Sequence, residues 1–378
     1  MLLFGSKVFA DGHGSIKIGI LHSLSGTMAI SETTLKDTML MLIDEQNKKG
    51  GLLGKKLEPV VVDPASNWPL FAEKARELLT VSKVDVMFGC WTSVSRKSVL
   101  PVIEELNGLL FYPVQYEGEE SSKNVFYTGA SPNQQAIPAT DYYLEELGVK
   151  KFALLGTDYV YPRTTNKILK QYLIDNGIPE SDIFVNYTPF GHSDWSKIVG
   201  DVVALGADGK KVGVISTING DANIGFYKEL AAAGIKADDI PVVAFSVGEE
   251  ELSGLDTKNL VGHLAAWNYF QSAESDLNTN FIKQWKNTMG NKRVTNDPME
   301  AHVIGFKMYV KAVEKAGTTD VDAVRKAMYG LKVPNLTGGV AEMLPNHHLS
   351  KPVLIGEIQE DGQFDIISQT KEVPGDAW

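Results

Sequence analysis

Aromatic, hydroxyl and carboxylate side chains recur in five short segments, at residues 89–93, 112–116, 158–162, 217–221 and 246–249. Each segment directly follows an apolar run that predicts a buried strand. Their side chains with a flat ring or a polar tip include Trp91, Ser93, Tyr112, Tyr159, Tyr161, Asp221 and Glu249. Ring faces, a hydroxyl donor and carboxylate acceptors together complement a small neutral amide, which has a planar face, one carbonyl acceptor and N–H donors.

Positive charge is scarce in the same segments. They contain no lysine, and the two nearby arginines, Arg96 and Arg163, come a few residues after the strand ends. A carboxylate or phosphate ligand favours a bidentate arginine or several clustered helix N-termini. The pattern therefore favours an uncharged ligand.

Catalytic constellations are missing from the sequence, which has neither a phosphate-binding loop nor a dinucleotide fingerprint. The His-Ser-Asp run at 192–194 cannot form a catalytic triad, because triad members meet in space and are not consecutive. His347 and His348 lack a third metal ligand at suitable spacing and are expected to be solvated loop residues. Cys90 ends a buried strand, where a small apolar filler is common. We predict a binding protein without metal or cofactor, and not an enzyme.

The elements that must position these residues alternate between strand and helix. The predicted strands of the first series are 16–20, 57–62, 84–88 and 109–111, with amphipathic helices between them. This alternation predicts a parallel sheet covered by helices on both faces. In such sheets ligands bind beyond the carboxyl ends of the strands, where the candidate side chains fall.

A second series of the same kind begins near Pro132. Its predicted strands are 152–155, 183–187, 212–216 and 242–245. Two sets of similar size predict two lobes of similar α/β architecture. The remaining elements are an apolar stretch at 261–269, helices near 281–289, 301–316 and 321–329, and a hairpin of strands 353–358 and 364–367. These must pack onto the two lobes, so the chain is expected to cross between the lobes several times and form a hinge.

Length and charge limit the possible partners. The 378 residues amount to two or three domains of ordinary size, which agrees with two lobes. With 47 acidic against 36 basic residues the net charge is -11, and no basic patch is present, so a nucleic-acid partner is not expected.

The N-terminal segment, Met1–Ala10, ends in the small-residue pattern of a secretory signal, although its apolar run is short and lacks a basic start. Residues 1–15 are therefore expected to be a signal-peptide remnant or a disordered tail, and the protein is expected to be exported.

Several of these segments, taken in order, carry a resemblance to a known family. The matching blocks are Gly89-Cys90-Trp91-Thr92-Ser93, Phe111-Tyr112-Pro113, Tyr116-Glu117-Gly118, Pro132-Asn133-Gln134, residues 156–163 and Glu249-Glu250-Glu251. From about Ile16 to the C-terminus, the chain resembles the type I periplasmic binding proteins, in particular the urea-binding component of urea ABC transporters. It is also similar to the cytoplasmic amide sensor that regulates aliphatic amidase operons.

The resemblance implies two Rossmann-like lobes with parallel sheets, joined by a hinge of three crossovers, with the ligand trapped between the lobes. The crossovers would lie near Ala130, at 266–269 and at 336–339. Lobe 1 would comprise residues 16–129 and 270–334, and lobe 2 residues 130–269 and 335–378. The implied ligand contacts are Trp91, Ser93, Tyr112, Val114, Tyr159 and Tyr161, with Asp221 and Glu249 from the second lobe.

Two positions depart from the amide sensor's pattern: Trp91 stands where the sensor has a tyrosine, and Val114 where it has a threonine. Both favour the urea-binding subgroup, so we expect a periplasmic receptor that delivers urea or a short amide to the permease of an ABC transporter. Aromatic rings would sandwich the ligand, Ser93 and backbone N–H groups would meet its carbonyl, and Glu249 and Asp221 would accept its N–H groups. The alternatives left open are a branched-chain amino-acid receptor of the same fold, a cytoplasmic amide sensor and a hydrolase of urea or amides.

Overall fold

The computed structural model describes residues 14–378, so nearly all of the predicted N-terminal segment, residues 1–15, lies outside the described residues. Within this range strands and helices alternate as the hydrophobic periodicity predicts. None of the helices between residues 14 and 378 is both long and apolar enough to cross a membrane.

The first series of elements builds a five-stranded parallel sheet. It runs β1 (Ile16–Leu21), α1 (Ala29–Lys48), β2 (Leu57–Val62), α2 (Trp68–Glu77), β3 (Val86–Gly89), α3 (Ser93–Glu105), β4 (Leu110–Tyr112) and β5 (Val125–Tyr127). The strand order is β2-β1-β3-β4-β5. Local signals set the helix ends: the Asn67 side chain accepts a hydrogen bond from Leu70 N at 3.1 Å and caps α2. Two glycines at positive φ, Gly50 and Gly51, follow the end of α1.

The second series and the remaining elements follow in chain order. They are α4 (Ala136–Glu145), β6 (Lys151–Thr157), α5 (Val160–Asp175), β7 (Ile183–Thr188), α6 (Ser196–Leu205), β8 (Val212–Thr217), α7 (Ala222–Ala232), β9 (Val242–Ala244), α8 (Glu249–Leu252), β10 (Leu264–Trp267), α9 (Asp276–Met289), α10 (Asp297–Ala316), α11 (Val321–Met328), β11 (Lys332–Pro334), β12 (Val340–Met343), β13 (Leu349–Lys351), β14 (Leu354–Ile358), β15 (Phe364–Gln369) and β16 (Val373–Pro374). The predicted hairpin is present as β14 and β15.

The second lobe is built on a seven-stranded sheet in the order β15-β14-β10-β9-β8-β6-β7. Strands β6 to β10 pair in parallel, and the hairpin adds two antiparallel strands at one edge. Both faces of this sheet are buried. On β6, Phe152 and Leu154 enter one hydrophobic cluster while Ala153 and Leu155 enter the other. A strand buried on both faces has a continuous apolar run in its sequence, and that run located β6 in the sequence analysis.

Later elements complete the first lobe. Buried side chains of α9, α10 and α11 belong to the same hydrophobic cluster as those of β1 to β5. So do Ala341, Met343 and Leu349, which lie on a small antiparallel sheet of order β11-β12-β13-β16. The packing therefore differs from the lobe boundary predicted at residue 335, because Leu336 and Leu349 also belong to the cluster of the first lobe.

Three crossings of the chain lie side by side at the hinge. The buried Asn268, in the second crossing, donates through Nδ2 to Gln134 O at 3.0 Å in the first crossing and to Pro352 O at 2.7 Å in the third. The first two crossings lie between β5 and α4 and between β10 and α9. The third lies between β13 and β14 rather than at 336–339, because the chain first forms the small sheet on lobe 1. A fourth crossing, between β15 and β16, was not expected and returns the chain to that small sheet, where β16 pairs with β13.

Candidate ligand-binding site

The predicted site residues lie on segments that leave the carboxyl ends of the two parallel sheets. They are Trp91 and Ser93 after β3, Tyr112 and Val114 at the end of β4, Tyr159 and Tyr161 after β6, Asp221 after β8 and Glu249 after β9. Six of the eight are at most 2% exposed, whereas Tyr159 is half-buried and Asp221 is exposed. Most of the set is therefore enclosed, and Asp221 is not.

Direct contacts join the segments of the two lobes. Gln115 Nε2, after β4 of lobe 1, donates to Ser246 Oγ, after β9 of lobe 2, at 2.7 Å, and both residues are buried. The rings of Trp68 and Phe190, also from opposite lobes, have centroids 5.1 Å apart. The strand-end segments of both lobes thus enclose a shared interior.

Aromatic side chains from both lobes meet in this interior. The rings of Tyr159 and Tyr161 have centroids 6.2 Å apart, and the Phe190 ring lies 5.0 Å from that of Tyr159. Burial, together with the neighbouring hydroxyls of Tyr112 and Tyr161, raises the pKa of Tyr159 well above its ordinary value. With Trp68 of the first lobe packed against Phe190, rings of both lobes therefore meet here.

A buried ionic cluster that the sequence did not place at the site lies beside these tyrosines. The fully buried Arg96 donates from Nε to Glu120 Oε1 at 2.7 Å and from Nη2 to Glu117 Oε1 at 3.2 Å. Lys97 Nζ lies 2.9 Å from Glu120 Oε2. Burial alone would raise the pKa of Glu120, but Arg96 and Lys97 lower it to about 2. Two cations and two carboxylates are therefore paired with one another.

Aromatic rings enclose the same guanidinium group. Arg96 Cζ lies 4.6 Å from the ring centroid of Tyr112 and 4.8 Å from that of Tyr116. The Tyr116 hydroxyl is hydrogen-bonded to His348 Nε2 at 2.5 Å. His347 and His348 are both buried, so the expectation of solvated loop histidines was wrong; they stack on and hydrogen-bond to aromatic residues of lobe 1.

Ser93 cannot use its hydroxyl as predicted. The hydroxyl donates its only proton to Glu117 Oε2 and accepts a hydrogen bond from Arg96 Nη1 at 3.1 Å. It has no proton left for a ligand carbonyl. The backbone N–H groups of Ser93 and Val94, in the first turn of α3, have no hydrogen-bond partner among residues 14–378, so they are the donors that this segment offers.

The buried polar atoms that have no hydrogen-bond partner within the described part of the chain include Trp91 Nε1, Gln115 Oε1 and Tyr161 OH, all on the strand-end segments. The Tyr112 hydroxyl differs, because it donates to the backbone oxygen of Trp91. Leaving a buried polar atom unpaired costs about 1–3 kcal/mol, so such atoms indicate where a bound partner would be satisfied. Together they offer an N–H donor, a carbonyl acceptor and a hydroxyl that can do either.

The two predicted carboxylates have different surroundings. Glu249 is 1% exposed, and its Oε1 accepts a hydrogen bond from Gln271 N, at the hinge, at 2.6 Å. Burial raises its pKa to about 8. Asp221 lies at the exposed start of α7, where its backbone N approaches Thr27 O of the first lobe at 3.4 Å. Its carboxylate is therefore on the rim of the cleft and not in the enclosed interior.

Sequence reasoning did not select Gln115, Glu117 or Ser246 as functional residues. All three lie within or beside segments already singled out at strand ends, so a polar residue in such a segment was the available signal.

The single cysteine, Cys90, is fully buried, and burial raises the pKa of its thiol. No group of three or more His, Cys, Asp or Glu side chains within residues 14–378 is arranged to hold a metal ion.

Two lobes with parallel sheets, a hinge that the chain crosses several times and a polar interior between the lobes define a two-lobed solute-binding protein. Residues 16–378 match the family model of the periplasmic binding protein domain, and the chain belongs to that family.

Known relatives agree with this class. The Leu/Ile/Val-binding protein homolog 3 of Brucella melitensis is 24% identical over 355 residues, which are 92% of this chain and 91% of that protein. The solute-binding protein of an ABC transporter from Rhodopseudomonas palustris HaA2, solved with p-hydroxybenzoic acid, superposes with a TM-score of 0.83 at 20% identity, over 96% of this chain and 98% of that one.

A shorter match links the chain to a protein named as an enzyme. Limonene hydroxylase of Geobacillus stearothermophilus is 30% identical over 118 residues, 31% of this chain. The chain spans only 22% of that relative's length, so that activity is not transferred to this chain.

Proposed function

We propose that this protein is an extracytoplasmic receptor that captures urea or a short amide between its lobes and delivers it to the permease of an ABC transporter. Membership of the periplasmic binding protein family supports export, and the Rhodopseudomonas relative is itself named as part of an ABC transporter. The choice of ligand rests on the chemistry of the enclosed interior.

The pairing of Arg96 carries the proposal for an uncharged ligand. Its guanidinium donates to Glu117, Glu120 and Ser93, and it lies between aromatic rings. A ligand carboxylate entering this interior would find the buried cation already neutralised, so only backbone N–H groups would be left to bind it. A neutral ligand needs no such partner.

The unpaired polar atoms suit a small amide. Trp91 Nε1–H and the N–H groups that begin α3 can donate to a ligand carbonyl oxygen. Gln115 Oε1 and the Tyr161 hydroxyl can accept from ligand N–H groups, and the second oxygen of Glu249 can do the same when that carboxyl group is ionised. In this assignment Ser93 contributes its backbone rather than its hydroxyl. The ring of Tyr159 offers a flat face to a planar ligand.

We expect the two lobes to close on the ligand, because the groups that would bind it come from both lobes. Trp91 and Gln115 belong to lobe 1, whereas Tyr161 and Glu249 belong to lobe 2. A ligand that bonds to both sets gains its full binding free energy only when the lobes are together, so binding shifts the equilibrium toward the closed form. That closed form is the species a permease would recognise.

One observation favours a second candidate, a receptor for branched-chain amino acids. Glu249 is a buried carboxyl group that could pair with a ligand ammonium, and the first turn of α3 could meet a carboxylate. The Brucella relative is named as a homolog of a Leu/Ile/Val-binding protein.

Isothermal titration calorimetry with urea, formamide, acetamide and leucine decides between the two candidates. We expect binding of urea or a short amide and none of leucine.

Tyr161→Phe is expected to weaken the binding of urea by about tenfold, because it removes one buried hydrogen bond worth roughly 1 kcal/mol or more. Tyr142→Phe, on the outer face of α4, is the matched control and should leave affinity unchanged. Binding of leucine alone would contradict the proposal.

A further inference from the structure

We propose that Gln115 determines ligand specificity: its side chain closes one end of the cleft, and its free carbonyl oxygen selects a ligand whose end there is an N–H donor. The inference rests on the proposed function and names the feature that would separate urea from longer or methyl-ended amides. It concerns a residue that does not belong to the predicted contact set.

The backbone of Gln115 is held in place on both sides. Tyr116 N donates to Ala130 O at 3.0 Å. A Cβ atom on Gly129 would lie 2.1 Å from the carbonyl carbon of Val114, so the first crossing is pressed directly against this segment. The side chain of Gln115 therefore starts from a fixed point at the hinge.

The Gln115 side chain reaches across the interior to the other lobe. Its Nε2 donates to Ser246 Oγ at 2.7 Å, and the Gln115 and Ser246 side chains are 3% and 1% exposed. The Tyr161 hydroxyl lies beside both residues but makes no hydrogen bond of good geometry to either one. Three residues from three separate segments thus form one wall of the enclosed interior.

The orientation of the amide makes this wall selective. Because Nε2 is engaged with Ser246, Oε1 is left as a buried acceptor with no partner among residues 14–378. A ligand N–H placed there would pair it, whereas a methyl group would leave it unpaired and desolvated, which weakens binding. Urea presents N–H groups at both ends, while acetamide presents a methyl group at one. A longer chain, as in propionamide, would also collide with the Gln115–Ser246 bridge.

Calorimetry on three variants tests the inference with urea, acetamide and propionamide. Gln115→Ala is expected to lower the affinity ratio of urea to propionamide by about tenfold or more, because both the acceptor and the barrier are lost. Gln115→Met keeps the length of the side chain and removes the acceptor. It should weaken urea binding while leaving the affinity for acetamide nearly unchanged. Ser246→Ala releases Nε2, so the amide is no longer held in this orientation, and the variant should lower the affinity ratio of urea to acetamide in the same direction as Gln115→Met. Tyr142→Phe is the matched control and should leave all three affinities unchanged.

The outcomes separate this inference from the proposed function. If the unmodified protein binds urea but both Gln115 variants weaken all ligands equally, Gln115 only holds the lobes together and the specificity role is overturned. If the unmodified protein binds none of the three ligands, the proposed function fails first, and the inference with it. Thermal melts of each variant show whether the fold is retained, and Gln115→Met covers the case in which the alanine variant does not fold.

Discussion

Three consecutive carboxyl groups begin α8, and burial changes their acidity. Burial raises the pKa of Glu249 to about 8 and that of Glu250 to about 7, and it also raises the pKa of Glu251. Glu251 Oε1 accepts a hydrogen bond from Ser31 Oγ of the first lobe at 2.6 Å. Near neutral pH the folded protein therefore holds protons that the unfolded chain releases, and part of this group lies where the lobes touch.

The ligand-free protein should lose stability as pH rises. The pKa of Glu249 is raised from 4.5 to about 8, so its contribution is complete below pH 4.5 and is lost as pH passes through 8. Glu249→Gln imitates the protonated form and should flatten the decline between pH 5 and 8 by on the order of a few kcal/mol, shared with its acidic neighbours. Guanidinium chloride unfolding at several pH values measures the effect. Parallel profiles for variant and parent would contradict the assignment.

At this scale the sequence predicted which residue types stand at the strand ends but not how they bond. Trp91, Tyr159 and Tyr161 could be placed because the strand-end rule links position in the sheet to order in the chain. The partners of Ser93 could not, since Glu117 lies 24 residues away on a loop that folds back over α3. Whether a hydroxyl is free or engaged depends on that tertiary contact.

Among the elements, the turn between β8 and α7 sets how closely the lobes can approach. Gly220 has φ +67°, and a Cβ atom there would lie 2.7 Å from Thr27 O, just before α1. The turn thus meets the other lobe with no space for a side chain.

Gly220→Ala should weaken ligand binding beyond its effect on the fold. The positive φ costs about 1 kcal/mol for alanine in any state, but the clash with Thr27 opposes only the closed form. We expect a loss of affinity of about fivefold or more in calorimetry. Gly234→Ala is the control, because Gly234 has φ +71° with nothing within 4 Å. Equal affinities for the two variants would show that the turn does not limit closure.

Long elements with strong periodicity were predicted closely, and several short ones outside the strand–helix alternation were missed. The strand 57–62 and the hairpin were located nearly to the residue. Strand β5 and the small sheet of β11, β12, β13 and β16 were not predicted, because two to four residues are too few to show a period. Those short strands moved the third crossing away from its predicted place.

For the whole molecule, the side-chain amide of Asn268 joins three crossings at the hinge. Asn268→Ala removes two buried hydrogen bonds and leaves the carbonyls of Gln134 and Pro352 without their donor. The expected loss is about 2–4 kcal/mol in the free energy of unfolding. Guanidinium chloride denaturation measures it, with the exposed Asn291→Ala as control. A variant as stable as this control would show that the three crossings are held by other contacts.

The two-lobed architecture could be predicted from two matched strand series, but the assembly of each lobe could not. Which lobe receives the last hundred residues depends on packing between segments far apart in the chain, as with Leu349 in the first core. Hydrophobic periodicity indicates which face of a helix or strand is buried, but it does not identify the element that packs against that face.

The interlaced path of the chain has a consequence for its synthesis. The first core needs side chains as late as Leu349, and the second sheet is finished only by Phe364–Gln369. Neither half can therefore complete its packing until the ribosome has made almost the entire polypeptide. During that interval each half exposes apolar surface that its late segments cover only when synthesis is nearly finished.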